Sequence, residues 1–159
     1  MNFIELVTRL DGRINRAKYW LGSIVTGLIF VAITIPLIFA QGLPEDPEDL
    51  KSSLWWLPIL QLIFLYPWTA IMVKRLHDRN RPSYFAAFMV VPILISMATN
   101  FLGLTGDAEH SGALDWILGV IILGVGIWFF IELGCLRGTI GDNQYGPDPL
   151  AAQVTAPSR

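Results

Sequence analysis

The sequence predicts an all-α integral membrane protein: a bundle of four transmembrane helices with both termini on the cytoplasmic side. Three observations carry that reading. Hydrophobic residues make up 53% of the 159-residue chain and charged residues only 15%, well below the roughly 25% charged residues usual in soluble domains. Four apolar stretches, at about 19–40, 54–73, 83–104 and 114–136, each approach the ~20 residues needed to span bilayer hydrocarbon. The basic residues outside them segregate to one side.

The first stretch opens at Tyr19-Trp20 behind a lead that carries Arg9, Arg13, Arg16 and Lys18. A basic lead before an apolar run also begins a secretory signal. Here the run is too long, the lead too long and polar, and Ile38 with Ala40 too poor a cleavage site, so the stretch reads as an uncleaved helix. The second opens at Trp55 and Trp56, the third at Tyr84, and Trp116 marks the outer end of the fourth; amphipathic rings favour the headgroup level. Trp128, Phe129 and Phe130 lie deeper and read as packing or lipid-facing residues.

None of the four stretches contains Lys or Arg; their only acids are Asp115 at one edge and Glu132 near the opposite end. An isolated segment in lipid must satisfy its own backbone hydrogen bonds, so each stretch is helical. Pro36, Pro58, Pro67 and Pro92 lie within helices, with kinks expected at Pro67 and Pro92. The run Gly119, Leu123, Gly124, Gly126 offers another helix a surface for close approach. Short loops make successive helices antiparallel neighbours. One domain therefore spans 1–150. The acidic connector 41–53, with Pro44 and Pro47, reads as solvated, and 151–159 as a disordered tail.

Orientation follows from Lys and Arg. Ten of the eleven fall in the N-terminal lead, in the middle loop with Lys74, Arg75, Arg79 and Arg81, or in the tail with Arg137 and Arg159. The other loops hold Lys51 against Glu45, Asp46, Glu48, Asp49, Asp107 and Glu109. The positive-inside rule places the basic side in the cytoplasm. Cys135 is the single cysteine, which excludes an intramolecular disulfide.

Three polar clusters share that side: Gly12-Arg13-Ile14-Asn15-Arg16, then Lys74-Arg75-Leu76-His77-Asp78-Arg79-Asn80-Arg81, then Gly141-Asp142-Asn143-Gln144-Tyr145-Gly146-Pro147-Asp148-Pro149. In this order, with Tyr19-Trp20 after the first cluster, they resemble the domain of unknown function 805 family of bacterial inner-membrane proteins, from about Phe3 to Pro149. The resemblance implies a multi-helix inner-membrane protein and supplies no activity and no catalytic residues. Pro82-Ser83 departs from the small Ser-Gly-type turn associated with the family, which leaves the start of the third helix open.

The candidate site is drawn from those clusters: Arg13, Asn15 and Arg16; Arg75, His77, Asp78, Arg79, Asn80 and Arg81; Glu132; and Asp142, Asn143 and Tyr145. The first reading is that the cations fix topology and pair with Asp78, Asp142, Asp148 and Glu132, since a pure lipid-binding patch needs no carboxylates. The second is that they bind anionic headgroups, each basic residue near a membrane surface being worth roughly 1 kcal/mol and Arg adding two-pronged hydrogen bonds. Asp78 and Asn80 suit turns and caps.

His77-Asp78 invites a hydrolase or metal reading, but no second His lies on this side and no acid cluster of suitable spacing supports it. Gly141-Asp142-Asn143 lacks the further ligands of a calcium loop. Glu132 is costly in lipid unless paired, neutral or wet; its expected partners are Arg75 or Lys74. The leading function is a non-enzymatic inner-membrane protein, without cofactor or nucleic acid, whose cytoplasmic Arg/Asp/Asn surface binds anionic lipid headgroups or a protein partner. The alternative is a small transporter or channel subunit acting as a homo-oligomer, although Gln61, Thr69, Ser96, Thr99 and Asn100 are thin lining for a pore. A lipid-acting enzyme ranks third.

Overall fold

The computed structural model describes residues 2–42, 53–105 and 112–151. Most of the predicted acidic connector, the outer-loop residues Lys51, Asp107, Glu109 and His110, and the predicted tail beyond Ala151 lie outside the described residues. Among the described residues, four helices are long and apolar enough to cross a membrane, and the only strand-like pairing is the isolated bridge Asn143–Gly146.

The N-terminal lead is not simply polar coil. Helix α1 (Phe3–Thr8) forms because Asn2 and Glu5 make a reciprocal capping box, which satisfies two otherwise orphaned N–H groups. It buries Leu6 against Ile14 and Ile71. The carbonyls of so short a helix lack partners. Lys74 Nζ donates to Glu5 O at 2.8 Å and Leu6 O at 2.7 Å, and Tyr66 Oη to Thr8 O at 2.6 Å.

Helix α2 (Arg16–Gln41) starts at Asn15, whose Oδ1 accepts the Lys18 N–H at 2.9 Å. Helix α3 (Leu57–Asp78) carries Pro58 in its first turn, where a missing N–H costs nothing. It runs through Lys74, Arg75 and His77 to Asp78 instead of stopping near 73. The reason is burial: Lys74 and Arg75 are fully buried, and His77 and Asp78 nearly so, so the polar motif faces inward as helix and the true loop is only Arg79–Pro82. The helix ends in a Schellman turn. Asn80 N–H donates to His77 O at 3.0 Å and Arg81 N–H to Leu76 O at 2.8 Å, with Asn80 at φ 55, a left-handed position that Asn tolerates and most residues do not.

The third span opens with a 3-10 turn (Ser83–Ala86), continues as α4 (Ala87–Phe101) and is followed by α5 (Ala113–Phe129). α5 passes into a π-helical turn over Phe130–Cys135. Helices α2, α3 and α4 run on through Pro36, Pro67 and Pro92.

The helices pack as two hairpins, α2 on α3 and α4 on α5. The hairpins join mainly at the basic end, where the 3-10 turn lies on α3 and the π turn on α2 and α3. The core sits there too: Val73, Leu76, Ala86, Phe129 and Leu133 form one cluster and Leu6, Ile14 and Ile71 a second. Leu28, Phe39, Val120 and Leu123 remain exposed, as lipid-facing residues should. The small-residue face of α5 is not where helices approach. A Cβ on Gly119 or Gly124 would meet nothing within 4 Å, and one on Gly126 only Met89 Cε at 3.9 Å. The close approach is at Gly22 of α2, where a Cβ would lie 2.8 Å from Leu6 Cδ2 and 3.3 Å from Ile71 Cδ1.

Gly22→Val is therefore expected to destabilise the bundle by about 1–3 kcal/mol through overpacking. Gly119→Ala should be neutral or slightly stabilising. Thermal melting of the detergent-solubilised protein checks both, and equal effects would contradict the packing described.

Candidate functional site

At the basic end, Asp78 is the centre of a buried assembly. Its Oδ1 accepts Arg13 Nε at 3.3 Å and Nη2 at 3.1 Å, and its Oδ2 accepts Arg75 Nη1. The side chains of all three are nearly inaccessible, at 1%, 1% and 5% exposure for Arg13, Arg75 and Asp78. Both arginines spend their remaining donors on main chain, Arg13 also reaching Thr139 Oγ1 at 3.1 Å. Arg13 reaches Thr139 O and Gly141 O, each at 2.8 Å, and Gly146 O at 3.1 Å. Arg75 reaches Leu133 O at 2.8 Å and Leu136 O at 2.5 Å. Asp78 O in turn accepts Thr139 N–H at 2.8 Å and Oγ1 at 3.0 Å. Gly138 is required at this point, because a Cβ there would overlap the Asp78 carboxylate.

These bonds solve a specific difficulty. A helix end leaves its last carbonyls without partners, and the end of α5 is packed against protein. The π turn redirects those carbonyls so that side chains of other segments reach them in succession: Arg75 to Leu133, Trp20 Nε1 to Gly134 at 3.2 Å, Arg16 Nη1 to Cys135 at 2.9 Å, Arg75 again to Leu136, and Arg79 Nη1 to Arg137. Cys135 itself is an exposed free thiol.

His77 belongs to a second layer. Its Nδ1 lies 3.1 Å from Gly12 O and its Nε2 2.8 Å from Ser83 Oγ. A carbonyl can only accept, so Nδ1 carries a proton, and in the neutral ring Nε2 accepts from the hydroxyl. Tyr145 stacks on the ring at 3.9 Å and 2°. Asn143 Nδ2 donates to His77 O and to Thr139 Oγ1, each at 2.9 Å, while its Oδ1 accepts Tyr145 N–H. Gln144 reaches Asn80 Oδ1 at 3.4 Å. Asp142 Oδ1 accepts Asp148 N–H at 3.2 Å, and Asp148 accepts the N–H groups of Leu150 and Gly141. Those N–H bonds hold the Asp148 carboxyl below its ordinary range. The third motif is thus a compact turn docked on the end of α3.

Glu132 corrects an expectation. Its partners are not Arg75 or Lys74 but Arg79 Nε at 3.2 Å and Arg81 Nε at 3.5 Å. Arg75 turns toward Asp78 and Lys74 caps α1, which leaves the loop arginines to cover the acid. Arg81 also lies over the Phe85 ring at 5.6 Å.

The candidate residues therefore divide. Arg13, Arg75, His77, Asp78, Asn143 and Tyr145 interlock; Asn15 and Asn80 set helix ends; Glu132 joins Arg79 and Arg81; Arg16 sits at the rim. Asp142 does not converge with His77 and Asp78, and among the described residues no three His, Cys, Asp or Glu side chains gather as metal ligands would. Lys74, Ser83, Gly138 and Thr139 complete the assembly. Thr139 has no local sequence signal beyond lying between the fourth span and the turn motif. A cleft of about 450 Å³ opens beside the network, lined by Asn15, Arg16, Arg137 and Asp148 among others.

Comparison with known proteins identifies a family and several relatives. The model of a family described as "Protein of unknown function (DUF805)" matches residues 7–147. The chain is 31% identical to the uncharacterized protein YiiR of Escherichia coli K12, over 100% of the chain and 98% of that protein. It is 25% identical to the inner membrane protein YhaH and 27% identical to the inner membrane protein YhaI of the same strain, covering 87% of the chain and 84% of each relative. No solved structure matches.

Removing one member of a buried ion pair strands the others at a cost of about 3–5 kcal/mol. Asp78→Ala should accordingly lower the melting temperature of the detergent-solubilised protein sharply, or prevent its accumulation, whereas Asp142→Ala on the exposed turn should cost less than about 1 kcal/mol. Similar melting of both variants would remove Asp78 from the centre of the network.

Proposed function

Since the chain belongs to the DUF805 family, whose description names no activity, we propose from its geometry that it is a non-enzymatic inner-membrane protein whose basic end faces the cytoplasm and gathers anionic lipid headgroups at its rim. The observation that carries this is the division of the cations. Arg13 and Arg75 are consumed by buried acceptors, while Arg16, Lys18, Arg81 and Arg137 are exposed. Topology signalling needs charge on one side of the membrane but no ordered scaffold beneath it. On this reading the exposed cations lie beside Trp20 and the start of α2 at headgroup depth, where such cations attract anionic lipids.

The competing classes need groups at liberty. Acid–base chemistry would call for a free imidazole or carboxylate, yet both ring nitrogens of His77 are engaged and both oxygens of Asp78 are ion-paired. A conduction path through Glu132 would need it open to water with Gln61 or Asn100; it is closed over by Arg79 and Arg81.

Orientation is tested with C-terminal fusions: green fluorescent protein should fluoresce and alkaline phosphatase should stay inactive, and the reverse pattern would overturn the cytoplasmic placement. Lipid preference is tested by native mass spectrometry of protein exchanged into mixed phosphatidylglycerol and phosphatidylcholine. At roughly 1 kcal/mol per cation, Lys18→Gln with Arg81→Gln should reduce the preference for phosphatidylglycerol about tenfold or more. An unchanged preference would sink the rim reading.

A further inference from the structure

The cleft beside the Asp78 network has a surplus of donors that the fold does not use. Among the described residues, the Arg137 side chain makes no hydrogen bond or ion pair; only its carbonyl is engaged, by Arg79. Arg16 spends one N–H on Cys135 O and keeps the rest of its guanidinium. Asn15 uses its side-chain oxygen to cap α2 and has its amide N–H groups left over. All three line the same cleft. Its acceptors are largely spoken for: Asp78 is neutralised by Arg13 and Arg75, and Asp148 accepts two backbone N–H groups. Two arginines from opposite segments, one opening α2 and one just after the π turn, therefore line a shared space with no ion pair to either among the described residues, and Asp148 of the same lining feels the charge of Arg137.

We propose that this cleft is a discrete site for one phosphate group, held between Arg16 and Arg137 with Asn15 as a further donor. Planar guanidinium forks match the oxygens of a phosphate in pairs. The site also lies at the first residue of a membrane-spanning helix, the depth at which lipid phosphates sit. Asp148, on the same lining, keeps acceptor capacity for a hydroxyl or ammonium on the phosphate substituent, so a glycerol-bearing phosphate fits better than inorganic phosphate. The site goes beyond the rim attraction proposed above. That attraction is diffuse and draws on all the exposed cations, Lys18 and Arg81 among them, whereas this site is stoichiometric and needs neither Lys18 nor Arg81.

The test uses the full chain in detergent and two pairs of variants, Arg16→Gln with Arg137→Gln, and Lys18→Gln with Arg81→Gln. Arg137→Gln alone is included because its side chain makes no hydrogen bond or ion pair within the described residues, so the variant should fold as the wild type does. The probes are inorganic phosphate and sn-glycerol 3-phosphate, read by thermal shift, and phosphatidylglycerol, read by native mass spectrometry. We expect one phosphatidylglycerol that resists removal in the wild type and in the Lys18/Arg81 variant, with affinity lowered about tenfold by Arg137→Gln and further by the double cleft variant. A thermal shift by sn-glycerol 3-phosphate that Arg137→Gln abolishes would also support the site and identify a soluble phosphate ester as a ligand. Retention and thermal shift unchanged by both cleft variants would overturn it. Loss that follows Lys18 and Arg81 alone would overturn the cleft and leave the rim standing; loss that follows Arg16 and Arg137, with no effect of Lys18 and Arg81, would support the cleft and overturn the diffuse rim.

Discussion

The rest of the structure depends on the need to satisfy the end of the fourth span inside protein. Carbonyls from Leu133 to Arg137 finish a helix whose Leu133 and Gly134 are buried among neighbouring segments, and a bare carbonyl in such a place costs as much as a lost hydrogen bond. Arg75 meets two of them while holding Asp78, and Asp78 positions Arg13, which collects three more carbonyls from Thr139 to Gly146. One buried carboxylate thus joins the N-terminal lead, the end of α3 and the segment after α5. That is why three motifs far apart in the chain are found at one place.

The spans themselves were legible because lipid imposes a simple rule: about 20 apolar residues, helical, with charge outside. The errors fall where that rule stops applying. α3 continues through the polar motif because Lys74, Arg75 and Asp78 point into protein, where a hydropathy pattern sees only charge and places a loop. α1 was hidden for a similar reason, since its one buried residue, Leu6, carries no periodic signal in six residues. Glu132 was matched to the nearest cations along the presumed helix level, yet the Schellman turn at Asn80 swings Arg79 and Arg81 back over it. The network membership of Arg13, Asp78 and Asn143 could be read from the mixture of Arg with Asp and Asn. Which cation meets which acceptor could not, because that depends on the π turn.

The position of the core bears on function. Helices in lipid gain nothing from hydrophobic association, so packing and interhelical hydrogen bonds must hold them together. Here both are concentrated at the basic end, where the two hairpins join, and the opposite halves of the spans present apolar side chains outward. The part of the molecule fixed by directional bonds is therefore its polar end. A recognition surface belongs on the rigid part of a scaffold, because donors held in place lose little freedom on binding. The exposed cations sit on that part.

The choice of residue type supports the same division of labour. A buried ion pair seldom adds stability over a well-packed apolar alternative, so Arg13, Asp78 and Arg75 are poorly explained as stabilisers in bulk. They are well explained as devices of register. Between apolar helices that could slide or rotate with little change in lipid contact, only directional bonds choose one arrangement, and a planar guanidinium reaching two carbonyls and a carboxylate at once chooses it sharply. Lys74 shows the contrast: where the task is to cap two adjacent carbonyls of α1, a flexible ammonium suffices. Guanidinium groups without an internal task, as at Arg137, have no part in setting register and stay exposed.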